Sequence, residues 1–264
     1  MTILGFALAA LIGLSLGMLG GGGSTLTVPI FVYILGFEAK DAIAMSFPVV
    51  GATSLVGAVS HWRDGNVEVR TALLFGVVAM AGSFSAARFL APLMSGALQL
   101  ALLGMVMLAA AVSMFRSAGR RPLPGVEHEP PIALPLLGLV ALGVGAMTGI
   151  VGIGGGFLIV PALVILGRVP MKQAVGTSLL VIAMNTASGY FGYAGRVTMA
   201  WGFLAGFTLV AIGGILLGSR LVRYVSQGQL KRAFAVFLIA VGAFVFFQNR
   251  NALLGGPVGQ AEER

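Results

Sequence analysis

Few side chains in this sequence could do chemistry. The acids are Glu38, Asp41, Asp64, Glu68, Glu127, Glu129, Glu262 and Glu263, and each is expected in a loop or tail between apolar runs. The histidines are His61 and His128, and there is no cysteine. An enzyme needs an acid–base pair, an activated nucleophile or a metal-ligand set gathered in a cleft, and the apolar body supplies none of these. Without cysteine there are no disulfides, thiolate metal sites or Fe–S clusters. One histidine beside a tryptophan, His61 with Trp62, makes no metal site and reads as a pair at a membrane interface. No cofactor is implied.

What remains is neutral. Residues 18–29 read MLGGGGSTLTVP and residues 150–161 read IVGIGGGFLIVP. A glycine in a helix interior costs about 1 kcal/mol relative to alanine, so each cluster should break the helix it interrupts. GGGGST lacks the lysine and the spacing of a Walker A loop. Each cluster stands just before a short apolar segment, where it would mark a helix N-terminus. Bare N–H groups and a partial positive charge at such an end suit an anion, and glycine permits both a tight reversal and close approach of a ligand to the backbone. The expected binding residues at the breaks are Gly22, Gly23, Ser24 and Thr25 in the first copy, and Gly154, Gly155 and Gly156 in the second. Gly23 and Gly155 are expected to need left-handed backbone. Hydroxyl and amide donors come from Ser46, Thr53, Thr177, Ser178 and Asn185, with interhelical or within-helix bonding as their alternative role. Arg88 and Arg220, near the ends of matching segments, are candidate gates, although snorkelling to the interface is the more ordinary role. Scattered glycines such as Gly76, Gly104 and Gly242 read as helix-packing positions.

The elements that must position these residues are membrane helices. Of 264 residues, 58% are hydrophobic and 9% charged, against roughly 25% charged in a soluble domain. The net charge of +8 is first a topology signal and only weakly one for nucleic acid. The N-terminal apolar run lacks a basic leader region and reads as a structural helix. Shifting the chain by 132 residues aligns its halves: Gly13 with Gly145, Gly17 with Gly149, Pro29 with Pro161, Ser46 with Ser178, Gly57 with Gly189 and Arg88 with Arg220. Each half carries five apolar segments, roughly 2–19, 24–37, 41–60, 70–91 and 96–115, then 132–151, 156–168, 172–193, 199–221 and 229–248. The third to fifth in each half approach the ~20 residues of a full span; the second is short and contains a proline. The expected organisation is therefore a first transmembrane repeat (1–115), a charged, Pro-rich cytoplasmic linker (116–131), a second repeat (132–250) and a polar tail (251–264).

Five segments per half would make the repeats inverted. Crossing at every segment places Arg63, Arg70, Arg116, Arg120, Arg121, Arg168, Lys172, Arg220, Arg223, Lys231 and Arg232 on one side, leaving Lys40, Arg88, Arg196, Arg250 and Arg264 on the other. Treating the first two segments as one broken span divides the basic residues evenly. The biased arrangement fits the excess of Lys and Arg in cytoplasmic loops and puts both termini outside. Parity is the same whether the first two segments cross fully or form a re-entrant hairpin. The expected class is an all-α integral membrane protein of about 8–10 membrane segments, with short broken or re-entrant helices at the glycine motifs.

The paired GxGGG(x)LxVP elements, the following K-x-A-x-x-x-S at 40–46 and 172–178, and the two five-segment halves resemble the sulfite exporter TauE/SafE family. The resemblance covers nearly the whole chain. The first copy departs at GGGGST, where the second has GIGGGF, and at Pro48, where the second has Leu180. The resemblance implies a multi-pass plasma-membrane transporter of small sulfur-containing anions, such as sulfite or organosulfonates like sulfoacetate. The expected partners are that anion and the lipid bilayer, with a homodimer open and no nucleic acid. A passive anion channel is the nearest alternative, and a membrane enzyme a distant one.

Overall fold

A computed structural model describes residues 2–119, 134–151, 155–167, 169–193, 195, 197 and 199–253. The described residues are helical, with no strand among them. In chain order the helices are α1 (Thr2–Leu19), α2 (Ser24–Pro29), α3 (Ala39–Arg63), α4 (Val69–Ser85), α5 (Gly96–Gly119), α6 (Leu134–Val151), α7 (Gly156–Pro161), α8 (Met171–Tyr193), α9 (Trp201–Leu221) and α10 (Gln227–Leu253). α5 continues four residues into the stretch read as linker, and α10 three residues into the stretch read as tail. Asp41, expected in a loop, lies in the first turn of α3, where a carboxylate complements the helix dipole.

Among the described residues, six helical stretches are long and apolar enough to cross a membrane: Ala39–Arg63, Val69–Leu93, Gly96–Arg116, Met171–Tyr193, Trp201–Tyr224 and Gln227–Gln248. These are the third to fifth segments of each half. α2 and α7 each run on into a π-helical turn, Ile30–Ile34 and Ala162–Leu166. Pro29 and Pro161 cause this, since a proline lacks the N–H and crowds the carbonyl four residues back, so the next turn widens. Even with that turn, Ser24–Ile34 is only about 16 Å long at 1.5 Å per residue, about half a hydrocarbon core.

α2 folds back along α1. A Cβ at Gly5 would lie 3.3 Å from Leu35, just beyond the π-helical turn that follows α2, and one at Gly23 would strike the backbone of Ile12 and Leu16. Glycines also make the principal crossings. Gly13 and Gly17 of α1 meet the backbone of α9 at Ala211, Ile215 and Ser219, and Gly214 and Gly218 of α9 answer against α1. Likewise Gly145 and Gly149 of α6 meet Ala79 and Ser83 of α4, with Gly82 answering. Small residues at i, i+4 let helix backbones approach where lipid supplies no hydrophobic drive. Gly104 and Gly242 play the same part between α5 and α10, and Gly76 faces Met184.

α3 and α8 form the centre. Their apolar windows are 67% buried, against 33–50% for the other four spans. Ends alternate consistently. The end of α3, the starts of α8 and α10 and the end of α9 gather at one face, joined by Arg223–Asp64, by Lys172 to the Arg223 carbonyl (3.2 Å) and by the Met171 N–H to Gln227 Oε1 (3.1 Å). The end of α8 and the start of α5 meet at the other, where Gln99 Nε2 reaches Tyr193 Oη (3.4 Å).

Candidate functional site

The two glycine breaks meet. A Cβ at Gly21 would overlap the backbone of Gly156, and one at Gly156 would overlap Gly21 and lie against Ile182. Ile182 is the middle residue of α8, so the junction sits halfway along the central helix. The flanking residues are specific to this place. Gly20 has φ +69, and a Cβ there would fall 2.6 Å from Ser178 Oγ. Gly155 has φ +72, and a Cβ there would collide with Thr148 Oγ1 and lie 3.6 Å from Asn185 Nδ2. Positive φ is open to glycine and strained for residues with a Cβ.

The expectation of left-handed backbone holds at Gly155 and fails at Gly23, whose φ is −65. The first break takes its left-handed turn three residues earlier, at Gly20. Gly23 is glycine for a different reason: it packs on α1. Gly22 faces Leu19 and Phe237. Gly154 lies outside the described residues.

Most of the expected hydroxyl donors are engaged within their own segments. Ser24 donates to the Gly21 carbonyl (2.7 Å) and Thr25 to that of Gly22. Ser46 donates to Ile43 (2.6 Å), Thr53 to Val49 (2.7 Å) and Ser178 to Val175 (2.8 Å). Buried Ser and Thr satisfy themselves this way in membrane helices. Thr177 serves the loop before α4, accepting from the Glu68 N–H at 2.9 Å. Asn185 differs. It is 0% exposed, and neither its Nδ2 nor its Oδ1 has a partner among the described residues. Leaving a buried polar group unpaired costs about 1–3 kcal/mol, and this amide lies beside the left-handed turn at Gly155. Ser83 of α4 fixes this part of α8 by donating to the Asn185 carbonyl at 3.2 Å.

Thr148 and Ser83 were not among the expected site residues. Thr148 sits directly against Gly155 and donates to its own helix at Val144 (2.9 Å); a lone threonine four residues before the glycine cluster that begins at Gly152 was the available signal. His61 is also placed unexpectedly. Trp62 is 63% exposed, as an interfacial residue should be, while His61 is 0% exposed with Nε2 3.0 Å from the Gly17 carbonyl. Adjacent helical residues point about 100° apart, so one faces lipid and the other the interior. The two arginines proposed as gates are surface residues. Arg88 is exposed on the π-helical turn after α4, and Arg220 lines a surface pocket with Arg63 and Arg223.

Residues 5–245 match the family described as Sulfite exporter TauE/SafE. This chain belongs to that family. It is 33% identical over 249 residues to a "Probable membrane transporter protein" of Xylella fastidiosa strain Temecula1, an alignment spanning 92% of this chain and 94% of that one. It is 24% identical over 237 residues to "Probable membrane transporter protein YdhB" of Bacillus subtilis strain 168, covering 90% and 97%. A "Probable membrane transporter protein" of Methanocaldococcus jannaschii is 35% identical over 123 residues, 44% of this chain and 45% of that one. No solved structure matches. With its six apolar spans, the TauE/SafE chain is a multi-pass membrane protein of the transporter class, and the names of its relatives point away from an enzyme.

Proposed function

We propose that this TauE/SafE protein is a secondary transporter that exports small sulfur-containing anions, sulfite or organosulfonates such as sulfoacetate, across the plasma membrane. The observation that carries the reading is Asn185: a fully buried amide, without a partner among the described residues, facing a left-handed glycine at the start of a half-length helix. Its Nδ2 donates to an oxyanion, and the N-terminal ends of α2 and α7 add partial positive charge. No basic side chain joins the Gly21–Gly156 junction in the contacts described, so the anion is held by neutral donors and can be released.

The halves act as inverted repeats, with both termini outside and the 116–131 segment cytoplasmic. Reciprocal packing supports this: α1 crosses α9 as α6 crosses α4, each through paired glycines. The return of α2 along α1 gives the parity that collects the basic residues on one side. The closed contact of Gly21 with Gly156 favours a carrier over an open channel, because passage requires the breaks to part. A negative interior favours anion export by about 2.3 kcal/mol per charge per 100 mV.

Proteoliposome flux of sulfite, sulfate, sulfoacetate, taurine and chloride tests the reading. Saturable flux of sulfite or sulfoacetate in preference to chloride is expected; equal, non-saturating flux of all five would overturn it. An impermeant thiol reagent on Arg120→Cys in intact cells tests the orientation, and labelling from outside would refute it.

A further inference from the structure

Beyond the glycine junction, the molecule carries a second polar concavity. A pocket of about 510 Å³ opens between the ends of α3 and α9. Its polar end is made by Ser60, Arg63, Asp64, Arg220 and Arg223. Its walls are Leu55, Val56, Val59 and Leu216, of which Leu55 is 53% exposed on the surface of the bundle.

The charges do not cancel. Arg223 Nε donates to Asp64 Oδ2 at 3.1 Å, and this pair is closed. Ser60 and Ser219 bond each other at 2.8 Å. Arg63 and Arg220 make no hydrogen bond or ion pair with any described residue. Lys172 adds positive charge nearby through its bond to the Arg223 carbonyl. The carbonyl ends of α3 and α9 converge here and favour cations, which explains why arginines collect but leaves two guanidinium groups without counter-ions among the described residues at the head of an apolar trough. Trp62, exposed one residue from Arg63, places this level at the membrane interface.

We infer that this pocket binds an anionic phospholipid, the phosphate held between Arg63 and Arg220 and an acyl chain lying along Leu55, Val59 and Leu216. A guanidinium fork matches phosphate oxygens in geometry as well as charge, and basic pockets between transmembrane helices select anionic head groups. The apolar walls decide for a lipid over a free ion, since a soluble anion has no use for a trough that opens to the bilayer. The inference is independent of what crosses at the glycine junction.

The test uses full-length protein in nanodiscs of phosphatidylcholine, with or without phosphatidylglycerol, read by thermal shift and by native mass spectrometry of retained lipid. Wild type should gain melting temperature with phosphatidylglycerol and retain it on release from the disc. Arg63→Gln with Arg220→Gln should lose both effects while melting as wild type does in phosphatidylcholine alone. If that double variant is unstable in neutral lipid, Arg63→Gln alone carries the comparison. Arg116→Gln, a basic residue outside the pocket, should keep both effects. Equal lipid retention by the pocket variant and wild type would overturn the inference. So would equal loss in Arg116→Gln, or the same stabilisation by inorganic phosphate in phosphatidylcholine discs, which would mark a soluble-anion site.

Discussion

The two glycine breaks come from one repeated motif and are built differently. The first turns left-handed at Gly20 and lies against Ser178, whose hydroxyl is already satisfied by Val175. The second turns at Gly155 and lies against Thr148 and the orphaned amide of Asn185. The residue matching Asn185 in the first half is Thr53, which donates to its own helix at Val49. The halves share a scaffold of proline-widened half-helices and glycine crossings; the first half has its own unpaired buried hydroxyls among the described residues, Thr27 and Ser54, but the amide unpaired at both Nδ2 and Oδ1 is Asn185 of the second.

The harshest way to break the comparison is to strike the contact the two breaks share. Gly21→Val would drive a branched side chain into the Gly156 backbone, so flux should vanish and stability should fall by more than the 1–3 kcal/mol typical of overpacking. Sulfite flux and a denaturant melt read both; normal flux in a well-folded variant would return the junction to mere packing.

Substitution of the left-handed residues follows. Gly155→Ala combines about 1–2 kcal/mol of left-handed backbone strain with a clash on Thr148. Adding Thr148→Ala should relieve the clash and restore part of the stability, and a double variant no more stable than Gly155→Ala would show that the hydroxyl contact does not matter.

The pair that sharpens the comparison most is Asn185→Leu against Thr53→Val. Removing an unpaired buried amide relieves a penalty of about 1–3 kcal/mol, so Asn185→Leu should melt at or above wild type yet fail to transport. Thr53→Val gives up a within-helix bond worth about 1 kcal/mol or less and should transport nearly as wild type. Equal loss of flux in both would mean that the halves contribute alike.

Smallest of all should be Ser46→Ala with Ser178→Ala. Each hydroxyl donates to a carbonyl three residues back, so affinity for sulfite should fall only severalfold, with anions still preferred over cations in a calorimetric titration.

Much of this architecture can be read from residues alone. Glycine clusters between apolar runs, GGGG at 20–23 and GIGGG at 152–156, 132 residues apart, announce paired helix breaks, and run length separates α3, α4, α5, α8, α9 and α10 from the half-helices. The hydrogen bonds of the hydroxyls are not legible in the same way, because a serine in a helix can serve its own backbone or a ligand with the same neighbours in sequence. Asn185 stood among several equal candidates for that reason, and only the packing around it shows that its amide has no partner among the described residues. The left-handed position of the first break also escaped, since four adjacent glycines offer four places to turn, while that of the second was met at Gly155. Arg63 and Arg220 share a pocket across 157 positions of chain, a proximity that follows from the α3–α9 crossing and from no local pattern.

The most direct measurement is calorimetric binding of sulfite to the purified wild-type protein and to Asn185→Leu, alongside their melting temperatures without ligand. The account predicts saturable sulfite binding by wild type, its loss in Asn185→Leu, and an unliganded melting temperature for the variant no lower than wild type. Undiminished sulfite binding by a well-folded Asn185→Leu, or stabilisation of wild type by Na⁺ with none by sulfite or sulfonates, would contradict it.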